Sequence, residues 1–219
     1  MRWLTLQLAD GAFPTGGFAH SAGLEAAVQL GAVRSSADAL GFTRVALWQL
    51  ALGVLPFVAA AFDAPGDLPA VDAAADGFLL GEVANRASRT QGRAFAAAVG
   101  RVFPEAPLVE LAERARRREL AAHHGPVFGA ALAHLGVPRG DALALYLHGG
   151  VRTVLSAAVR LNVLGPHEAQ GVQHDLAPEL TRALDEGSRR PAERAAQPAP
   201  FYDLLAAQQD GLYARLFQS

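Results

Sequence analysis

Residues 45–62 read VALWQLALGVLPFVAAAF, an apolar run whose only strongly polar member is Gln49. A transmembrane helix needs about 20 such residues, so this run is at the short limit for crossing a bilayer. Pro56 lies in its second half, and proline disturbs the interior of a helix. No second run of this kind stands out in the sequence. We therefore predict a pair of buried core helices that meet at Pro56, with a membrane span as the alternative.

The composition of the whole chain fits one folded domain over residues 1–219. Hydrophobic residues make up 51 % of the sequence, enough for a sizeable buried core. The formal net charge of −2 argues against a nucleic-acid-binding protein, because phosphate contacts need a surplus of basic residues. Cysteine is absent, which excludes disulfides and thiolate metal sites.

Lysine is absent as well, and all 19 basic residues are arginine. A P-loop needs a lysine that reaches the phosphates, and a Schiff-base enzyme needs a lysine amine. Any nucleotide hydrolysis connected with this protein is therefore expected from another chain. The first residues reach Asp10 before a long apolar run develops, so we expect no secretory signal and a cytoplasmic location.

Helix is the dominant local pattern, and we predict an all-α fold with several helices in one compact domain. Ala and Leu are abundant, and no alternating β-branched run stands out. Ser35 followed by Asp38 predicts the N-cap of a helix that continues through Trp48. Further helices are expected at residues 67–86, 91–102, 107–123 and 138–164. Residues 186–200 predict a flexible linker, and residues 201–219 a C-terminal helical tail.

Seven histidines are candidate metal ligands or catalytic bases. Two ligands on one helix face lie three or four residues apart, and no histidine pair has that spacing. We expect no intrinsic metal site, although a nickel ion shared across a dimer interface would escape this argument. Ser21 follows His20, but no nucleophile elbow surrounds any serine, and Ser21 is interpreted as a helix cap. No catalytic residue is predicted.

One segment has the pattern of a recognition surface: residues 6–25, LQLADGAFPTGGFAHSAGLE. Pro14, Gly16 and Gly17 are turn formers, because proline fixes φ and glycine adopts positive φ. The turn is followed by Phe18 and then by a helix that has Glu25 on its polar flank. The alternative is a well-made interhelical loop with its aromatic side chain in the core.

Five stretches of the chain resemble the urease accessory protein UreF family. The segment at residues 6–25 is similar to the family's N-terminal signature, and residues 88–93 resemble its S-x-x-Q-G-R element. The other similar stretches are residues 124–129, 155–161 and 213–219, the last being YARLFQS. These elements occur in the family's order from residue 6 to residue 219, so the resemblance covers nearly the whole chain. The chain departs from the family pattern at Pro166, Ala169 and Gln209, which affects local polar contacts there.

The resemblance implies an all-α, non-enzymatic homodimer that joins a UreD/UreH-type companion. It implies recruitment of the GTPase UreG and activation of apo-urease with nickel. Nickel and GTP would belong to the assembly, so no intrinsic cofactor is expected. By motif, Phe18, His20, Ser21 and Glu25 would line the surface that faces the GTPase. The residues that would meet the companion subunit are in the tail: Arg215, Leu216 and Phe217.

Two other classes of protein stay open at the level of the sequence. One is a helical hydrolase or metal enzyme that uses the histidines, and the other is a membrane-associated helical protein built around residues 45–62. An enzyme would turn over substrate alone, and a membrane protein would need detergent. A scaffold would do neither.

Overall fold

The computed structural model describes residues 2–14 and 17–219 of the chain, with only the backbone of Arg2. Within these residues the regular structure is helical, without a strand, as the composition predicted. The helices are α1 (Arg2–Ala9), α2 (Leu24–Gln29), α3 (Ser36–Gln49), α4 (Leu55–Asp63), α5 (Leu68–Phe78), α6 (Glu82–Val102), α7 (Ala106–Arg116), α8 (His124–His134), α9 (Arg139–Arg160), α10 (Pro166–Asp175), α11 (Ala177–Arg189) and α12 (Pro200–Ala207). Short 3₁₀ turns occur at Gly17–Ala19, Pro65–Asp67, Ala192–Arg194 and Gln208–Gly211.

The apolar run at residues 45–62 lies in one continuous helical segment, Ser36–Asp63, rather than in two separate helices. A π-helical turn, Leu50–Val54, joins α3 to α4. Pro56 has no N–H to donate to the carbonyl of Leu52, and that carbonyl accepts the N–H of Ala196 instead (2.9 Å). The proline is therefore accommodated by a contact with a segment distant in sequence.

Buried side chains place this segment at the centre of the fold. Leu47, Leu55 and Val58 are at most 1 % exposed. Helix α8 packs against α4 and α6, while α9 packs against α3, α4 and α8. The result is a single hydrophobic core contributed by helices from most of the chain.

Two helical segments among the described residues are long and apolar enough to cross a membrane, Ser36–Asp63 and Arg139–Arg160. The sequence had indicated only the first. Half of the apolar window in each is buried inside the fold, as in core helices of the same length and composition. These segments do not indicate a membrane protein.

Several predicted helix boundaries were wrong. The helix expected at residues 67–86 breaks between α5 and α6, where the Asn85 side chain donates to the carbonyl of Leu79 (3.0 Å). Helix α6 therefore has 21 residues and contains the short helix that was expected at 91–102. Helix α7 ends at Arg116 because Arg118 adopts a left-handed backbone (φ 60°). The predicted cap at Ser35 is confirmed, since its hydroxyl accepts the N–H of Asp38 (3.2 Å).

The C-terminal part of the chain also differs from its prediction. Helix α11 extends to Arg189, into the expected linker. The following residues stay largely at the surface, with hydrogen bonds from Ala196 to Leu52 and from Ala199 to Gln49. The tail at 201–219 is helical only to Gly211. Beyond it, the N–H groups of Leu216, Phe217 and Gln218 are bonded to Glu25 and Ala19, so they are not available for a helix.

Candidate functional site

The C-terminal tail, here residues 212–219, lies on the N-terminal signature segment, here residues 17–25. The backbone N–H of Gln218 donates to the carbonyl of Ala19 (2.8 Å). The N–H of Ser21 donates to the carbonyl of Ser219 (2.5 Å), and the Ser21 hydroxyl donates to the same oxygen (3.0 Å). The two segments are almost 200 residues apart in sequence, yet they form one hydrogen-bonded unit, which we call the tail–signature joint.

Glu25 is at the centre of the joint and is 1 % exposed. Its carboxylate accepts the backbone N–H groups of Leu216 (2.6 Å) and Phe217 (3.2 Å). It also accepts the side-chain amide of Gln209 (2.6 Å). The prediction that Glu25 is exposed on a polar flank was wrong. Helix α2 is only six residues long, and the tail covers the side that helical periodicity assigned to solvent.

His20 and Ser21 are buried too, at 4 % and 0 % exposure, so the prediction that they line a partner-facing surface was wrong. The ring Nδ1 of His20 is 2.6 Å from the Ser219 hydroxyl. Burial lowers the pKa of His20 from its ordinary value, which favours the neutral ring. Both side chains hold the end of the tail in place and face inward.

Phe18 is the exposed member of the four predicted partner-facing residues, at 74 %. The Arg160 guanidinium lies 4.1 Å from the centroid of its ring and 4.1 Å from the centroid of the Phe217 ring. Arg160 also donates to the Phe18 carbonyl (2.6 Å). A guanidinium placed against two rings is a favourable cation–π arrangement, so Arg160 links the exposed Phe18 to the buried Phe217.

The three predicted tail residues are divided between surface and interior. Arg215 and Leu216 are exposed, and Arg215 forms an ion pair with Asp210 (3.2 Å). Phe217 is 5 % exposed and belongs to the core. The prediction of an exposed tip was therefore wrong for Phe217, which anchors the tail while its neighbours remain accessible.

The residues expected to shape the loop have different positions. Pro14 is exposed, and Gly17 begins the 3₁₀ turn, while Gly16 lies outside the described residues. Positive φ occurs at Ala22 (53°) and Gly23 (82°). A Cβ on Gly23 would lie 2.9 Å from the Cβ of Ala206 in α12. Sequence reasoning missed Gly23, although it precedes Leu24 and Glu25 in the quoted signature.

A cleft of about 690 Å³ opens behind the joint, between the signature segment, α3 and α9. His124 lies in its wall among the rings of Phe95, Phe128 and Tyr146. Its buried Nε2 has no hydrogen-bond partner in the part of the chain that the structure describes. Burial, with a smaller contribution from His20, lowers the pKa of His124 to about 4. Burial also raises the pKa of Tyr146.

A second buried polar cluster, which sequence reasoning missed, fixes the start of α8. The ring of His123 is hydrogen-bonded through Nδ1 to Ser88 (3.0 Å) and through Nε2 to Asp76 (3.0 Å). Asp72 is 1 % exposed and accepts the N–H groups of Ala122 and His123 (2.8 Å each). Gly92 of the motif at 88–93 is required here, because a Cβ would lie 2.0 Å from the carbonyl oxygen of Ala122.

This cluster contains the residue types of a hydrolase triad, but its hydrogen bonds hold the backbone and the ring at the start of α8. The Ser88 hydroxyl also accepts the backbone N–H of His124 (3.2 Å). Asp76 is paired with Arg89, and this contact, with those from Asn85 and His123, holds its pKa well below its usual range. Ser88 and Asp76 are hydrogen-bonded to the His123 ring, next to the first residue of α8, and the His123 side chain is fully buried.

Among residues 2–14 and 17–219, no group of three or more potential metal-binding side chains comes together. His167 and His174 lie on α10, about two turns apart along the helix axis. His148 contacts Gln173 (3.0 Å between the side-chain nitrogens), and burial lowers its pKa.

Comparison with known proteins gives a consistent result over nearly the full length. The family model described as UreF matches residues 33–177. Urease accessory protein F of Arabidopsis thaliana is 36 % identical over 224 residues, covering 100 % of this chain and 93 % of the relative. Urease accessory protein UreF of Trichodesmium erythraeum (strain IMS101) is 31 % identical, covering 97 % of this chain and 94 % of the relative. The resemblance found in the motifs is confirmed, and the chain belongs to the UreF family of urease accessory proteins.

Proposed function

We propose that this chain is a non-catalytic urease maturation factor. It joins a UreD/UreH-type companion and recruits a UreG-type GTPase for GTP-dependent nickel insertion into apo-urease. Its family membership supports this, since its relatives are named accessory proteins. The absence of lysine supports a division of labour in which the GTPase, rather than this chain, hydrolyses nucleotide.

The observation that carries the proposal is the tail–signature joint. Its base is buried and hydrogen-bonded through Glu25, while large side chains are exposed on top of it: Phe18 at 74 %, Leu216 at 54 % and Tyr213 fully. Exposed aromatic and apolar side chains beside arginines are typical of the centres of protein–protein interfaces. A rigid base lowers the entropy that partners must lose on binding.

Within the joint, we assign Phe18 to the GTPase-facing surface and Arg215 and Leu216 to the companion subunit. The buried residues His20, Ser21, Glu25 and Phe217 position these contacts and do not touch a partner themselves. The chain acts as a homodimer in the cytoplasm. Nickel and GTP are held by the partners, so this chain needs no cofactor of its own.

Reconstitution tests the proposal directly. The chain, the companion and the GTPase are mixed with GTP and Mg²⁺, and the complexes are sized by chromatography with light scattering. We expect a complex of all three proteins. The variant Phe18→Ser should keep the companion and lose most of the GTPase. Val109→Ser, at an exposed apolar position on α7, is the matched control and should behave as the wild type.

Two results would refute the proposed function. One is a wild-type chain that elutes alone in the presence of both partners. The other is GTP hydrolysis or ester hydrolysis by the isolated chain that a substitution in the Ser88, His123 and Asp76 cluster abolishes. The second result would establish the hydrolase alternative.

A further inference from the structure

A second surface feature lies along α6. A cleft of about 670 Å³ contains four arginines, Arg86, Arg89, Arg93 and Arg118, and we call it the arginine cleft. The three on α6 are three and four residues apart and share one helix face. The apolar part of the wall is formed by Leu79, Leu80, Leu120 and Ala121.

The charges in the cleft are only partly neutralised. Arg86 is paired with Asp210 (2.7 Å) and with Glu82 (3.6 Å), a carboxylate that also lines the cleft. Arg89 is paired with Asp76. The guanidinium groups of Arg93 and Arg118 form no ion pair or hydrogen bond with any residue in the described ranges 2–14 and 17–219. Both side chains are exposed. The cleft therefore has two free cationic groups beside an apolar wall.

The position of Arg118 is unusual for its residue type. It lies just after the end of α7 and has a left-handed backbone conformation (φ 60°). The N–H of the next residue, Glu119, donates a hydrogen bond to the carbonyl of Arg114 (3.0 Å). Glycine is the usual residue at this position of a helix end, because a side chain is strained there. The chain has a long cationic side chain instead, and it lines the cleft.

We propose that the arginine cleft binds an acidic segment of a partner protein that also presents an apolar side chain to Leu80. From Arg86 to Arg93 the cationic row extends about 10 Å along α6, longer than a single phosphate and suited to several carboxylates on a chain. Leu80 is 84 % exposed at the rim and needs an apolar counterpart. The formal charge of −2 on the whole chain argues against a nucleic acid as the partner.

The cleft is linked to the tail through the carboxylate of Asp210. Asp210 is paired with Arg86 of the cleft and also with Arg215 of the tail. A partner that covers Arg215 and Leu216 would thus lie next to the cleft. The identity of the protein that carries the acidic segment rests on the proposed function. The arrangement of charges in the cleft does not depend on that function.

The test has one arm without partners and one with them. In the first, a fluorescent peptide of repeating Glu-Glu-Leu is titrated with the chain, and anisotropy is measured at low and high salt. In the second, the companion, the GTPase and apo-urease are each immobilised and titrated separately. The variants are Arg93→Glu/Arg118→Glu, Arg118→Gly and the matched control Arg101→Glu, an exposed arginine on the same helix.

We expect the double variant to bind the peptide and one of the three proteins at least about tenfold more weakly, with a smaller salt dependence. Arg118→Gly should weaken the same interactions by about threefold while its melting temperature stays the same or rises. Arg101→Glu should leave all affinities unchanged. Retained thermal stability in Arg118→Gly separates a binding role from a folding role.

Three results would overturn the inference. These are peptide affinities that the double variant leaves unchanged, equal weakening by Arg101→Glu, or saturable binding of inorganic phosphate or single-stranded RNA in place of the peptide. If the wild-type chain binds the peptide through Arg93 and Arg118 but binds none of the three proteins, the proposed function fails and the acidic-segment site stands.

Discussion

Glu25 shows how one buried carboxylate organises a site from the interior. Carboxylates are almost never fully buried unless they are paired, and this one is satisfied by two backbone N–H groups and an amide. Since those N–H groups belong to Leu216 and Phe217, the side chain specifies where the tail lies. The acid at this position is therefore buried beneath the tail, and its carboxylate contacts the tail backbone rather than solvent.

We predict that Glu25→Ala releases the tail. Charge-assisted hydrogen bonds contribute about 1.5–3 kcal/mol, so local opening should become about ten- to a hundredfold more frequent. Amide hydrogen exchange at Leu216 and Phe217 measures this directly. Glu110→Ala, at an exposed position on α7, is the control and should leave both rates unchanged. Unaltered exchange in Glu25→Ala would mean that the tail is held by its other contacts.

Burial of His124 makes the free energy of unfolding fall as the pH is lowered. Its pKa is about 4 in the folded chain and ordinarily 6.5, so the unfolded chain binds more protons between these values. The free energy of unfolding is therefore highest above pH 6.5 and falls as the pH drops towards 4. One pKa unit corresponds to about 1.4 kcal/mol, which gives a loss of about 2–3 kcal/mol from this residue.

We predict that His124→Phe removes most of that pH-dependent loss. Phenylalanine suits the surrounding rings and leaves no unpartnered nitrogen in the core. Urea unfolding at intervals from pH 7 to pH 4 measures the slope. The exposed His134→Gln is the control and should keep the wild-type slope. A slope that is equal in His124→Phe and wild type would contradict the assignment.

At the scale of elements, α4 and α8 approach each other closely because glycine occupies the contact. A Cβ on Gly129 would lie 2.2 Å from the carbonyl oxygen of Val58. One turn earlier, a Cβ on Gly125 would lie 2.8 Å from a methyl group of Val54, beside the π-helical turn. These two glycines determine the distance between helices that together contain much of the core.

We predict that Gly129→Ala costs about 1–3 kcal/mol of unfolding free energy, because the helices must separate to admit the methyl group. Gly171→Ala is the matched control. It lies in the middle of α10 with nothing within 4 Å of the added Cβ, so alanine's better helix propensity should stabilise the chain by up to about 1 kcal/mol. Urea denaturation measures both. Equal effects of the two substitutions would rule out the close-contact explanation.

At the scale of the whole molecule, the C-terminal tail and the signature segment at residues 17–25 meet and form a single surface. The helices end at Gly211 among the described residues, so the tail contributes no helix to the fold. The tail adds Phe217 to the core and closes hydrogen bonds to Ala19, Ser21 and Glu25. We therefore expect the helices to fold without the tail, because they supply the rest of the core.

We predict that deleting residues 214–219 preserves the far-UV circular dichroism of the chain and abolishes its complex with the companion subunit. Melting should shift only by a few degrees, because solvent can reach Glu25 and His20 once the tail is gone. Leu216→Ser, which removes an exposed side chain and leaves the tail docked, should weaken the same complex. A truncated chain that still binds the companion would contradict the assignment of the tail.

The sequence by itself determined the all-α class, the cap at Ser35 and the membership in a family, because these depend on local propensity or on motif order. It also identified residues 45–62 as core, although it did not reveal the π-helical turn. Within that turn, the N–H of Ala196 bonds the Leu52 carbonyl, to which Pro56 has no N–H to donate. A contact over such a separation has no local signature.

Only the tertiary structure decided which signature residues are accessible. Helical periodicity placed Glu25 at a polar flank because it describes one helix in isolation, and the residues that cover this flank are almost 200 positions later. The same long-range packing buried His20, Ser21 and Phe217 and left Phe18, Arg215 and Leu216 exposed. Burial is a property of the assembled helices, so the sequence located the candidate site while the fold divided it into a buried base and an exposed surface.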